Sequence, residues 1–476
     1  MDEATGKMIA KNTFWLFGGQ IIGRLLRATI IIYSARVLGA SSWGAFSYAL
    51  SLAAFLIIFS DFGINALLTR ESVKSPELRR KYLSTAFFIK SSVIIALISL
   101  ILLFGDKLTN LPEAIVLMPI VAIILAFDSL RDLATAMARS LNKMHIEAAV
   151  NVFTNLSIAV IGFYLLTQNQ TALSLTWSYA IGTGLGLLLA VYLLREYFID
   201  IFKNFDRSLV KIIITSAWPF GLLGLMGVIM INTDILMLGW LTSAEETGLY
   251  SAAQKPIQLL YVAPSLLAAA FFPTLTRLAK ETGKNFRIVF ERGLATIYLI
   301  AAPLAVGGTI LSAPIIKLLY GATYAPAYIS FAILAATIIV VFPATLIANA
   351  IFAHEKQKSL LGYVALGVLG NTALNLLFIP IWGIEGAALS TLVNQVIINI
   401  YLWQQFRKVS EFSILPHIKK IAIAAVSMGA VVLAINYYGA NVVVSIATGA
   451  GVYFAMLALL KEPALRLFKS LIAHGK

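Results

Sequence analysis

Cysteine is absent from the 476-residue sequence, which excludes disulfides, thiol nucleophiles and thiolate-held metals. Histidine is scarce: His145, His354, His417 and His474 stand apart at segment ends and offer no ligand cluster. Charged residues are only 12% of the chain, and acids are the scarcer sign, with 22 Asp+Glu against 36 Lys+Arg. No Walker sequence, paired catalytic carboxylates in a loop or nucleophile elbow occurs. The run Gly182-Thr-Gly-Leu-Gly186 lies inside an apolar stretch, so it is no nucleotide loop. Long polar segments are missing as well, and with them the room for a soluble domain. These absences point away from an enzyme and from cofactors.

What is present is apolar residue in quantity. Sixty percent of the chain is hydrophobic and the mean hydropathy is +0.88, the composition of an all-α polytopic membrane protein. Apolar runs of about 20 residues between charged or turn-rich breaks predict roughly fourteen helices. Their limits fall near 13–38, 43–69, 82–104, 113–138, 146–167, 173–194, 211–239, 248–276, 288–312, 326–352, 359–379, 385–406, 418–438 and 441–460. Met1 to Lys11 is polar and the apolar run after it is too long for a cleavable leader, so the first span is expected to stay in place. With the N-terminus inside, the inside connections carry 28 Lys/Arg and the outside ones two, Lys107 and Lys317. That asymmetry predicts cytoplasmic N- and C-termini. It also accounts for the net charge of +14 through contact with anionic headgroups, without nucleic acid.

Local patterns recur. Leu38-Gly-Ala-Ser-Ser-Trp-Gly-Ala-Phe-Ser-Tyr-Ala49 is similar to Leu241-Thr-Ser-Ala-Glu-Glu-Thr-Gly-Leu-Tyr-Ser-Ala252, an offset of 203. Asn142-Lys143 pairs with Glu355-Lys356 at 213, and Ser178 with Ser390 at 212. These matches predict a duplicated six-helix unit whose copies keep the same orientation, as in transporters that rock two halves around a midplane site. The expected organisation is an N-terminal lobe over 1–206, a second lobe over 207–410, and two further helices with a tail over 411–476.

Six cations fall inside predicted spans: Arg24, Arg27, Arg36, Lys90, Arg131 and Lys255. An unpaired cation in hydrocarbon costs several kcal/mol, so such residues face a wet cavity or a partner. Arg24 and Arg27 share one face of the first helix with Gln20 and Ser34. At about 1.5 Å per residue from Asn12, Arg24 lies roughly 18 Å in, too deep to reach the surface easily. Guanidinium suits phosphate through its bidentate fork, so the expectation is an anion site built from Arg24, Arg27, Gln20 and Arg131. Structural ion pairs are the competing account.

Asp61 and Asp128 lie at similar depth, about 13 and 16 Å from their helix ends. With Asp132 they are candidates for a coupling or salt-bridge network that resets the arginines or takes H+ or Na+. Asp128, Arg131 and Asp132 can also pair among themselves, and Asp61, just before Phe62-Gly63, can simply cap a helix break. Arg36 reads as an interfacial anchor. Lys90, about eight residues into the third helix, reads as a side chain that reaches back to the surface. Asp234 and Lys255 are candidates for an outer gate or for a plain interhelix pair. Asn371, Asn375, Asn394, Gln395 and Asn399 can bond glycan hydroxyls or glue helices together. Pro219, Pro256, Pro264, Pro273 and Pro343 supply bends within spans.

The stretches Asn12-Thr-Phe-Trp-Leu-Phe-Gly-Gly19, Tyr33-Ser-Ala-Arg-Val-Leu-Gly39, Trp43-Gly-Ala-Phe-Ser-Tyr-Ala49 and Asp61-Phe-Gly-Ile-Asn-Ala-Leu-Leu-Thr-Arg-Glu71 resemble the polysaccharide transporter (Wzx-type) branch of the MOP flippase superfamily. Leu319-Tyr-Gly-Ala-Thr-Tyr324 fits the stretch after the ninth helix. The resemblance covers essentially the whole chain and implies a V-shaped pair of bundles around a cavity that opens to each side in turn. It implies a cargo of oligosaccharide on undecaprenyl or dolichyl pyrophosphate, moved from the cytoplasmic to the outer leaflet of the cell membrane, with polysaccharide-assembly machinery as a further partner. Lipid II flippases, which also carry two extra C-terminal helices, and MATE exporters are relatives. Basic residues on the first helix of the lipid II flippase line its cavity, and Arg24 and Arg27 match them at the level of the helix. The runner-up reading is a cation-coupled multidrug exporter, although the first lobe holds five cations against Asp61, Asp128 and Asp132. A membrane glycosyltransferase calls for a larger outer loop than any here. A scaffold or assembly factor is the fourth reading.

Overall fold

A computed structural model of the chain describes residues 3–279, 284–356 and 358–465. Among the described residues, regular structure is helical throughout. Two compact units emerge, Met1–Gly248 and Leu249–Lys476.

Unit 1 opens with α1 (Glu3–Asp61), which breaks once, at Gly39, where φ of 75° and ψ of 171° end the first limb. That conformation suits glycine, which has no Cβ to clash. Phe62 (φ 33°) and Gly63 (φ 87°) then separate α1 from α2 (Ile64–Lys74). After these come α3 (Arg79–Phe104), α4 (Met118–Ser140), α5 (Met144–Gln168), α6 (Ala172–Leu193) and α7 (Arg207–Leu241). Helix α8 (Ala244–Leu260) carries the chain into unit 2. The core of unit 1 gathers Leu67, Leu83, Leu133, Met137, Val150 and Ile213, one or two from each packed helix.

Unit 2 continues with α9 (Val262–Leu278), α10 (Lys284–Ile310), α11 (Ser312–Tyr320), α12 (Tyr328–Ala353) and α13 (Lys358–Arg407). Helix α13 is broken at Gly383 (φ 55°, ψ −127°). Helices α14 (Leu415–Tyr437) and α15 (Val442–Leu459) pack together and onto α10. Leu299, Leu311, Met428, Val432 and Leu457 form that contact, and the Tyr453 hydroxyl donates to the Leu299 carbonyl at 2.9 Å. The expected appendage thus shares a core with unit 2.

Eleven helices among the described residues are long and apolar enough to cross a membrane. The breaks predicted between the first and second spans, and between the eleventh and twelfth, are the ones made at Gly39 and Gly383. Two of the repeated patterns share geometry. Asn142 and Glu355 both adopt left-handed φ, 56° and 58°. In each turn the following N–H reaches back to a helical carbonyl, Lys143 to Ala138 at 3.0 Å and Lys356 to Ile351 at 3.1 Å. This is the Schellman closure of a helix end. Ser178 and Ser390 are both fully buried. The longer motif does more than repeat, because its two copies meet. Gly44 lies against the Ala244 carbonyl and Gly248 against the Ala40 carbonyl, each so close that a Cβ would clash.

Candidate functional site

The first limb of α1 packs along α5, and small residues bring the two helices together. Gly19 lies on Ala148, and Gly23 on the side chains of Asn151 and Asn155. The packing turns Gln20, Arg24 and Arg27 outward, and all three are exposed. Ser34, expected on the same stripe, is fully buried instead.

Arg27 donates through Nε to Asn155 Oδ1 at 2.9 Å. Asn155 is held in turn, its Nδ2 donating to Asn151 Oδ1 at 2.6 Å and to the Asn151 carbonyl at 2.8 Å. Fixing Nε leaves the two terminal nitrogens of the guanidinium free to act as a fork. Among the described residues neither Arg24 nor Arg27 is in an ion pair. The two groups feel each other's charge, and Arg27 lies within electrostatic reach of Asp128 and Tyr179.

On α4 the acids turn to their own arginine. Arg131 reaches Asp128 at 2.8 Å, the pairing that i, i+3 spacing favours, and its sequence neighbour Asp132 at 3.2 Å. The three side chains are 17%, 23% and 46% exposed, in the order Arg131, Asp128, Asp132, so the cluster grades from a sheltered cation to a half-open acid.

Asp61 is engaged elsewhere. Its Oδ1 accepts the Asn65 N–H at 3.1 Å, capping α2 across the Phe62-Gly63 break, and pairs with Lys90 Nζ at 3.2 Å. Lys90 also donates to Asn65 Oδ1 at 3.1 Å, and its side chain is wholly buried. Lys90 therefore does not reach back to the surface, because two oxygen partners meet it at depth. Ser60 and Ser129, the sequence neighbours of Asp61 and Asp128, share a hydrogen bond at 2.6 Å that joins α1 to α4.

Asp234 is buried on α7 in unit 1, and Lys255 is half-buried on α8 within unit 2; both interact with surrounding groups. In unit 2, Asn375 Nδ2 donates to Asn371 Oδ1 at 3.1 Å and Asn394 Nδ2 to the Gly367 carbonyl at 2.8 Å. The first bond lies within one limb of α13 and the second joins the two limbs. Asn65, Asn151 and Asn155 carry parts of the site that the charge pattern did not single out. Their spacing was the available signal: two asparagines four apart in an otherwise apolar span face one way.

The unit 1 face can hold an anion. It presents two guanidinium groups without carboxylate partners among the described residues, an asparagine pair that orients one of them, and a third arginine already neutralised by its neighbours.

Comparison with known proteins agrees with this fold. The family described as "Polysaccharide biosynthesis protein" matches residues 9–279. The chain is 26% identical over 240 residues to the "Probable flippase AglR" of Haloferax volcanii, across 48% of this chain and 50% of that one. It is 26% identical over 334 residues to the "Probable lipid II flippase MurJ" of Rhizobium tropici, across 65% of this chain and 61% of that one. The match therefore spans half to three-fifths of these relatives' own lengths. Among solved structures, an inward closed lipid II flippase MurJ superposes with a TM-score of 0.76 at 20% identity, covering 96% of this chain and 99% of that one. The likeness shows a shared fold. Because the family match runs over more than half of the sequence, from ahead of Gln20 to beyond Lys255, the chain belongs to the polysaccharide biosynthesis protein family.

Proposed function

We propose that this protein is a flippase that carries a prenyl-pyrophosphate-linked oligosaccharide from the cytoplasmic to the outer leaflet of the cell membrane by alternating access. One observation carries the reading: Arg24 and Arg27 are exposed on one face of α1 without a carboxylate partner among the described residues. An uncompensated pair of guanidinium groups in a membrane span attracts an anion, and pyrophosphate is the anion the proposed cargo brings. The similarity to a probable flippase, AglR, and to a probable lipid II flippase, MurJ, supports the same reading.

In the full proposal the chain crosses fourteen times. Cutting Trp15–Lys74 at Gly39 and Ser359–Arg407 at Gly383 raises the eleven spans to thirteen. Helix α4, which carries Asp128, Arg131 and Asp132, is the fourteenth. The termini are cytoplasmic, and the first twelve helices form two six-helix lobes. Arg24 and Arg27, with Gln20 beside them, receive the pyrophosphate, and the Arg131 cluster exchanges its internal pairs for cargo. Asp61, Asp128 and Asp132 serve resetting or coupling by H+ or Na+, and Asp234 with Lys255 gates the outer side. The protein acts without catalysing a covalent change.

The test is reconstitution with a fluorescent prenyl-pyrophosphate glycan and a reagent confined to one leaflet. A charge-assisted contact is worth about 1.5–3 kcal/mol, so Arg24→Ala and Arg27→Ala should each weaken cargo capture on the order of 10- to 100-fold. Asn155→Leu, which frees the Arg27 side chain, should cost less than Arg27→Ala. Wild-type translocation in both arginine variants would remove the anion site.

A further inference from the structure

In unit 2 a cavity of about 560 Å³ runs along one face of α13, within the roughly 300–1,000 Å³ range typical of small-molecule sites. Val396, Asn399, Ile400, Trp403, Gln404 and Arg407 line it, and their spacing of three, four and seven residues places them on a single helical stripe. The stripe is about 16 Å long at 1.5 Å per residue. It grades from valine and isoleucine at one end, through tryptophan, to glutamine and arginine at the other. Tyr298 of α10 and Ile339 of α12 close the opposite, largely apolar wall.

Two polar groups in this cavity bear on what it holds. Arg407 is exposed at the mouth and is in no ion pair among the described residues. Asn399 is 3% exposed; its Nδ2 donates to the Gln395 carbonyl at 2.8 Å, while its Oδ1 accepts nothing among the described residues. A buried acceptor left unmade is costly, and native structures seldom tolerate one without a partner. The cavity therefore offers a free cation at its rim, an unmet need for a donor farther in, and an apolar wall.

We infer that this groove holds an anionic phospholipid of the bilayer whose headgroup carries a hydroxyl. The phosphate sits against Arg407 and Gln404, where a guanidinium is the stronger anchor. The headgroup hydroxyl donates to Asn399 Oδ1. The acyl chains lie on Val396, Ile400 and Ile339. Trp403, an amphipathic ring at the change from polar to apolar, lies between the phosphate contacts at Gln404 and Arg407 and the hydroxyl contact at Asn399. On the orientation proposed above, Arg407 lies at the cytoplasmic side, the leaflet surface whose anionic lipids attract basic residues. The site is built from unit 2 residues, whereas Arg24 and Arg27 belong to unit 1, and its test reads binding rather than transport, so either proposal can fail alone.

The experiment is lipid titration of the purified full chain in detergent, read by native mass spectrometry and by thermal shift. Phosphatidylglycerol, phosphatidic acid, phosphatidylcholine and a prenyl phosphate are the probes. Wild type should retain phosphatidylglycerol in preference to phosphatidylcholine, and Arg407→Gln should weaken that retention about tenfold, or about 1.4 kcal/mol. Asn399→Leu should erase the preference for phosphatidylglycerol over phosphatidic acid, which lacks the headgroup hydroxyl. Equal retention of phosphatidylcholine, or wild-type retention by Arg407→Gln, overturns the site. Displacement of phosphatidylglycerol by an equimolar prenyl phosphate overturns it too, by giving the groove to the cargo. Should Asn399→Leu fail to fold, the exposed Arg407→Gln still decides the question.

Discussion

Asparagine at position 61 should damage this protein more than methionine at position 90, although the two changes break the same ion pair. The reason lies in what each leaves behind. Lys90 is wholly buried, with Nζ 3.2 Å from Asp61 and 3.1 Å from Asn65 Oδ1. Asp61→Asn keeps the shape but removes the carboxylate that pairs directly with a buried ammonium, leaving Asp132 only at longer range, and breaking one side of a buried pair costs about 3–5 kcal/mol. Lys90→Met strands a carboxylate that is still 21% exposed and still accepts the Asn65 N–H at 3.1 Å. That loss is nearer about 1–3 kcal/mol. The double variant removes both charges and should be more stable than Asp61→Asn alone. With about 2–4 °C of melting temperature per kcal/mol in a unit of this size, Asp61→Asn should melt on the order of 10 °C below wild type. Thermal unfolding of the full chain in detergent at neutral pH, followed by tryptophan fluorescence, measures all four proteins. Equal losses in the two single variants, or a double variant that loses their sum, would refute the reasoning.

Two further outcomes follow from packing and charge outside the candidate site. Gly44→Ala pushes a methyl group into the Ala244 carbonyl and should lower the melting temperature by several degrees, since overpacking costs about 1–3 kcal/mol. A variant as stable as wild type would mean that the crossing is loose. Asp206 caps α7, accepting from the Ser208 N–H at 3.0 Å and the Ser208 hydroxyl at 2.6 Å, and pairs with Lys81 at 3.1 Å. The Ser208 hydrogen bonds, and then Lys81, hold its carboxyl below the ordinary carboxylate range. Its stabilising contribution is therefore complete above the unfolded value of about 3.9 and is lost as pH falls through the lower folded value. Asp206→Ala should melt below wild type at pH 7, with the gap closing below about pH 4. A gap that widens in acid would reverse the assignment.

Much of the architecture was legible because its causes are local. Apolar length announces a span, and the breaks at Gly39, Gly383 and Phe62-Gly63 carry residues that punctuate any helix. The left-handed turns at Asn142 and Glu355 repeat because the flanking helices end in the same way. The placement of Gln20, Arg24 and Arg27 on one face also follows from helical spacing alone. What stayed hidden depends on which helix meets which. Eight residues of depth suggested that Lys90 reaches water, yet the presence of Asp61 and Asn65 beside it keeps it inside. Ser34 continues the arginine stripe by arithmetic, but tertiary packing buries it. Asn155 gained its role only when Gly23 let α5 approach Arg27.

The pairing of Lys90 with Asp61 has a bearing on biogenesis. A lone lysine at mid-span raises the free energy of insertion by about 2.5–3.5 kcal/mol. Asp61 leaves the ribosome 29 residues ahead of Lys90, so the carboxylate has already reached the translocon when the lysine arrives. The helices carrying them can then pass into lipid together with the two charges paired, which spares the lysine-bearing segment that cost.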